Sequence, residues 1–164
     1  MLKIGLVRHA KSSWDNPTLS DHDRPLNARG NRDAPIMAQK VATLFGIPDL
    51  LVSSTANRAF TTAKMFRKEM NLSESQLISK EKLYHSSERD VMEVLSMLDD
   101  KFKSVLIFAH NPTMTFLANS FKGDVIDNVP TCGVVMLEAN VDHWVDLHPS
   151  NTKRVQFIYP KLYV

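Results

Sequence analysis

The apolar positions of this chain alternate between two kinds of segment. Short continuous runs, Lys3-Ile4-Gly5-Leu6-Val7, Asp49-Leu50-Leu51-Val52-Ser53-Ser54 and Ser104-Val105-Leu106-Ile107-Phe108-Ala109, are bounded by polar residues. They read as strands buried on both faces. A weaker strand is predicted within Gln76 to Tyr84. Between these runs the apolar residues recur at helical spacing: Met37, Val41, Leu44 and Phe45, then Ala59, Ala63, Phe66 and Met70, then Val91, Val94, Leu95 and Leu98. These predict helices over about 27–45, 56–70 and 88–98, with a further one from Pro112 to about Phe121. Asn27 and Ser87 are natural N-caps and Gly46 a natural stop. Pro35 predicts a kink, or a helix that begins properly only near Arg32. The last third changes character. Val134 to Glu138, Trp144 to Leu147 and Arg154 to Tyr159 are short and separated by turn residues, and one or two of them read as antiparallel additions to the sheet. Strands alternating with helices predict an α/β protein with a mainly parallel sheet, forming a single domain over 1–164.

Composition narrows the chemistry. The chain has 164 residues, 43% hydrophobic and 23% charged, which is ordinary for a soluble globular protein. A formal charge of +2, with no basic stripe, argues against nucleic acid as a partner. No apolar run approaches a membrane span, and the first residues enter a strand directly, so the expected location is the cytoplasm. Cys132 is the only cysteine, which excludes an intrachain disulfide and a cysteine zinc cluster. The five glycines are scattered, with neither a GxxxxGK[ST] nor a GxGxxG pattern. Any phosphate must therefore be held mainly by side chains. No cofactor is expected, and a monomer is.

Three predicted strands end in polar residues of one kind: Arg8 and His9, Arg58 just past the second, and His110 after the fourth. Parallel strands joined by βαβ crossovers bring their carboxyl ends to one edge, where ligands bind in open α/β sheets. Arg58 stands in the first turn of its helix, against the dipole, a misfit that an anion between them would explain. Two guanidiniums can grip a phosphoryl group, and two imidazoles can supply a nucleophile and a donor. Each residue alone could be an ordinary polar loop or surface residue; the convergence makes the site. The long connection from Ser12 to Pro25 would lie above it. Its Asp21-His22-Asp23 run reads as a solvated loop rather than a metal site, because adjacent loop residues seldom aim at one ion. Trp14 either ties this loop down or stacks on a substrate.

Leu6-Val7-Arg8-His9-Ala10-Lys11-Ser12, Asp23-Arg24-Pro25-Leu26, Ser53-Ser54 through Arg58 to Thr62-Ala63, and Ala109-His110-Asn111-Pro112 together resemble the histidine phosphatase superfamily, and within it the SixA-type phosphohistidine phosphatases. That resemblance implies a three-layer α/β/α sandwich of the phosphoglycerate mutase-like kind. It implies His9 as a nucleophile that forms a phosphohistidine later hydrolysed by water. Arg8, Arg58 and His110 would complete the phosphate pocket, with Arg24 a fifth contact. The implied activity is a metal-independent phosphatase acting on phosphohistidine in a protein, such as a phosphotransfer domain of a signalling relay. Physical chemistry fits these roles. Phosphoryl transfer needs in-line placement and charge stabilisation. Nearby cations should lower the pKa of both imidazoles and keep His9 nucleophilic.

One departure matters. Larger relatives that cleave esters carry an acidic residue after the third strand, whereas this chain reads Leu83-Tyr84-His85-Ser86-Ser87 there, with Glu88 and Asp90 slightly later. An alkoxide needs a proton to leave, and a phosphohistidine nitrogen is protonated more readily. The difference favours a nitrogen–phosphorus substrate or an easily departing ester. His85 is a peripheral pocket residue or a substitute acid, and Asp15 and Asp21 are weaker candidates. Two other readings stay open: hydrolysis of a small phosphorylated metabolite through the same intermediate, and a module that binds a phosphorylated partner without turnover. A short chain with little room for a cap suits an open site and a protein-borne phosphoryl group.

Overall fold

The computed structural model describes residues 1–164. Six strands form one sheet: β1 (Leu2–Arg8), β2 (Leu50–Ser54), β3 (Leu77–Lys80), β4 (Ser104–Ala109), β5 (Val134–Ala139) and β6 (Thr152–Ile158), in the order β3-β2-β4-β1-β5-β6. β1 to β4 run parallel, while β5 and β6 add antiparallel at one edge. Four helices cover the sheet: α1 (Ala28–Leu44), α2 (Asn57–Glu69), α3 (Glu88–Ser96) and α4 (Thr113–Ser120). No helix is long and apolar enough to cross a membrane.

The three layers follow from strand alternation. In β4, Val105, Ile107 and Ala109 enter the core beneath α3 and α4, whereas Leu106 and Phe108 enter the core beneath α1 and α2. Both faces are therefore apolar, and the strand reads as an unbroken hydrophobic run. The fold is the phosphoglycerate mutase-like α/β/α sandwich that the resemblance implied.

Neighbouring strands β1 and β4 send their chains to opposite faces. Met37, Ala38 and Val41 of α1 lie in one core, and Met114, Leu117 and Ala118 of α4 lie in the other. Where two adjacent parallel strands diverge in this way, a crevice opens beyond their carboxyl ends. Arg8 pairs with Ala109 in register, so His9 and His110 leave the sheet side by side at that crevice.

One local expectation is revised and others are located. The helix α1 runs unbroken through Pro35. Proline removes one backbone bond, but the residue four back, Asn31, is exposed and its carbonyl can be hydrated. Asn27 caps α1 by accepting from the Gly30 amide at 2.9 Å, and Gly46 ends it in a left-handed conformation. The third strand covers only Leu77–Lys80, after which the chain tightens into a 3-10 turn at Glu81–Leu83. Of the three C-terminal segments two are strands, and Trp144–Asp146 is a 3-10 turn. Trp144 is fully buried and its indole donates to the Phe102 carbonyl at 2.8 Å, so an apolar side chain signals core there without sheet.

Candidate active site

Arg8 is the last residue of β1, and His9 follows at the sheet edge. The His9 amide donates to the Ala109 carbonyl at 3.1 Å, and the Cys132 amide donates to the Arg8 and His9 carbonyls at 3.0 Å each. The Ala10 amide donates to Thr62 Oγ1 at 3.0 Å, and that hydroxyl donates to the Arg58 carbonyl at 2.7 Å. The backbone carrying His9 is thus fixed from β4, from the turn before β5 and from α2. Gly30 lets α1 approach equally closely, since a Cβ there would fall on the Lys11 carbonyl oxygen.

His9 is 8% exposed and its ring lies 5.3 Å, centroid to centroid, from that of His110. Its Nδ1 is 2.7 Å from the Ala10 carbonyl. A carbonyl only accepts, so Nδ1 carries the hydrogen and Nε2 keeps a free lone pair. Burial, reinforced by Arg58, Arg8 and Arg24, lowers the His9 pKa from 6.5 to about 3. Burial also lowers His110 to about 3, with His9 and Arg58 adding to it. Both rings are neutral at neutral pH, as the cation argument anticipates, although loss of water contributes more than the cations do. His110 Nε2 meets Ser54 Oγ at 2.8 Å. Its Nδ1 is buried with no partner, as is Nε of Arg8. Two orphaned polar atoms on adjoining residues of one crevice are a costly arrangement unless a ligand pairs with them.

The arginines differ. Arg8 donates through Nη1 to the Val129 carbonyl at 3.0 Å, an oxygen that also accepts from Asn111 at 3.0 Å. Arg58 is buried and donates through Nη1 and Nη2 to the Asp21 carbonyl and carboxylate, at 2.7 and 3.0 Å. Arg24 uses each guanidinium nitrogen on the protein: Nε on the Ser13 carbonyl at 3.1 Å, Nη1 on Asp21 Oδ1 at 2.9 Å, and Nη2 on Ser12 Oγ. Trp14 covers it from outside, its ring 3.3 Å from the guanidinium carbon. Arg24 therefore ties the long loop to the site.

Sequence reasoning gave Asp21 a minor place, and the structure makes it a hub. Its carboxylate accepts from Arg24, from Arg58, and from the Tyr84 hydroxyl at 2.7 Å. The hydrogen bond from Tyr84, followed by those from Arg58 and Arg24, holds it well below the usual carboxylate range. The signal available in sequence was its place three residues before Arg24. His22 Nε2 meets Thr55 Oγ1 at 2.9 Å and its Nδ1 lies 3.4 Å from Asp23 Oδ1, while the Asp21 carboxylate turns to the arginines and Tyr84. No three His, Cys, Asp or Glu side chains are grouped to hold a metal ion. His85 is exposed at the rim, stacked on Tyr84 at 4.0 Å, and Tyr84 in turn lies 5.6 Å from His110. Asp90 is committed to capping α3 through the Ser87 amide at 2.9 Å.

The sequence and the fold match a known family. A profile of the histidine phosphatase superfamily (branch 1) matches residues 4–84, the segment that carries Arg8, His9, Arg24 and Arg58. An uncharacterized chloroplastic protein of Arabidopsis thaliana is 31% identical over 150 residues, covering 87% of this chain and 68% of its own. The chain belongs to the histidine phosphatase superfamily. An uncharacterized Mycobacterium tuberculosis protein is 28% identical over 165 residues, covering 94% of this chain and all of its own. Among solved structures, one from Agrobacterium tumefaciens that is assigned, not shown, to be a phosphohistidine phosphatase SixA superposes with a TM-score of 0.81 at 25% identity, covering 97% of this chain and 98% of that one. A protein histidine phosphatase SixA in complex with tungstate gives 0.81 at 21% identity over 98% and 99%, a likeness of fold. This histidine phosphatase superfamily member is a phosphatase, and Arg8, His9, Arg58 and His110 stand at one crevice.

Proposed function

We propose that this phosphatase hydrolyses phosphohistidine carried on a protein, such as a phosphotransfer domain, without a metal ion and through a phosphohistidine formed on His9. The observation that carries this is the His9 Nδ1 to Ala10 carbonyl hydrogen bond of 2.7 Å, which leaves Nε2 as a neutral nucleophile beside Arg8 and His110. The Nε2 lone pair attacks phosphorus, and the substrate's N–P bond breaks with its electron pair going to the departing imidazole. Water then attacks the phosphorus on His9, and the pair of that second N–P bond returns to Nε2. The side chains of Arg8, His110 and Arg58 hold the phosphoryl oxygens.

A nitrogen leaving group is favoured by the state of the nearby carboxylates. Asp21 is ionised by its three donors and Asp90 is spent on a cap, so neither offers the proton an alkoxide needs. A protein-borne substrate is favoured by the rim, where Trp14 is 72% exposed and His85 lies open on Tyr84. Aromatic residues and arginine at a surface are what protein interfaces enrich.

The test is to mix the protein with a radiolabelled phosphohistidine protein and denature it during turnover. A base-stable, acid-labile label is expected on the wild type and absent from His9→Ala. Label persisting in His9→Ala refutes the nucleophile. Small phosphate esters turned over as fast as the phosphohistidine protein refute the substrate class.

A further inference from the structure

One carboxylate at the mouth holds the arginines in place but has no part in the chemistry so far, and the inference about it rests on the nitrogen–phosphorus reading. Asp21 sits among cations in a pocket built for an anion, where a negative charge opposes phosphate binding. Its carboxylate offers about four acceptor positions. Three are filled: Arg24 Nη1 on Oδ1 at 2.9 Å, with Arg58 Nη2 at 3.0 Å and Tyr84 Oη at 2.7 Å on Oδ2. The fourth, on Oδ1, is free, and the side chain is 42% exposed. Asp21 shares Arg58 with the phosphoryl site, and Tyr84, which donates to it, has its ring 5.6 Å from that of His110.

We infer that Asp21 is a specificity-determining residue, whose free acceptor position on Oδ1 binds the distal ring N–H of the leaving imidazole and so selects phosphohistidine over phosphate esters. The chemistry requires such an acceptor. When the distal nitrogen of a phosphorylated imidazole bears a hydrogen, the ring is a cation. Cleavage sends the N–P electron pair to the proximal nitrogen, and the ring departs as neutral imidazole with its distal hydrogen in place. No further proton is transferred. Without that hydrogen the ring would have to leave as an imidazolate anion. A carboxylate that holds the distal N–H keeps the ring in its reactive form, which is the work an acid does for an ester. The same charge opposes the anion that develops on the oxygen of a departing ester. One residue thus favours one class of leaving group and disfavours the other. Tyr84 and Arg24 are positioning residues for this carboxylate.

The experiment measures kcat/KM of the wild type and Asp21→Asn with two probes, N-phosphoimidazole and p-nitrophenyl phosphate. The ratio of the first to the second is expected to fall about tenfold or more in the variant, the scale of one charge-assisted hydrogen bond. A purely structural role, acting by loosening Arg24 and Arg58, lowers both rates together. An unchanged ratio therefore overturns the inference. A wild type that does not turn over N-phosphoimidazole or a phosphohistidine protein at all overturns the proposed function instead. If Asp21→Asn does not fold, the wild type carries the test through inhibition of p-nitrophenyl phosphate turnover by imidazole and pyrazole. At about pH 6 imidazole is mostly protonated while pyrazole, of the same shape, is neutral. Imidazole is expected to inhibit about tenfold more strongly, and equal inhibition by the two overturns the inference.

Discussion

Acid should destabilise this protein through its active site, and His9→Gln should relieve part of that loss. In the folded chain the His9 ring is neutral, with its pKa lowered from 6.5 to about 3 chiefly by burial. The unfolded chain binds a proton there once the pH falls below 6.5, while the folded chain does not until about 3. Stability rises with pH wherever the unfolded state binds more protons, so the contribution is full above 6.5 and shrinks on acidification down to about 3. Each pH unit in that window is worth about 1.4 kcal/mol per ring. Going from neutral pH to about 5 therefore costs about 2 kcal/mol for His9 alone. The assay is urea unfolding at about pH 7.5 and about pH 5, followed by the fluorescence of fully buried Trp144. The acid-induced loss in His9→Gln should be smaller than in the wild type by about 2 kcal/mol, the other titrating groups cancelling in the comparison. Equal losses in the two proteins would show that His9 is not held neutral, and the account of its nucleophilicity would fall with it.

Two further outcomes test the scaffold. Gly30→Ala places a methyl group on the Lys11 carbonyl oxygen and 3.0 Å from the Lys11 nitrogen, so α1 and the His9 segment must separate. Thermal melts should show a loss of about 1–3 kcal/mol, and turnover should fall with it; a variant as stable and active as the wild type contradicts the close approach. Trp144→Phe leaves the Phe102 carbonyl without its 2.8 Å donor and should lower urea stability by about 1–3 kcal/mol without changing kcat/KM. A change in kcat/KM would mean that this turn communicates with the site.

Much of the architecture was legible in the chain itself. β4 is found over the residues its apolar run marks, because a strand buried on both faces leaves no other reading of six such positions. Arg8, His9, Arg58 and His110 were legible as one group because crossover handedness and parallel pairing force their strand ends to one edge. Which of the three C-terminal segments join the sheet stayed open, because burial by itself does not distinguish a strand from a tight turn, and Trp144 falls in the turn. Asp21 was underrated because its partners lie 37 and 63 residues away at Arg58 and Tyr84, and nothing in a local pattern encodes that meeting.

Sequence alone determined the order of the elements and the group of residues that end the parallel strands, since those depend on periodicity and on where each strand stops. Tertiary structure decided the states of those groups: which nitrogen of His9 holds the hydrogen, which arginines have donors to spare, and that one aspartate stands ionised among them. Protonation and hydrogen-bond allocation depend on distance and on exclusion of water, and both exist only once the chain has closed around the crevice.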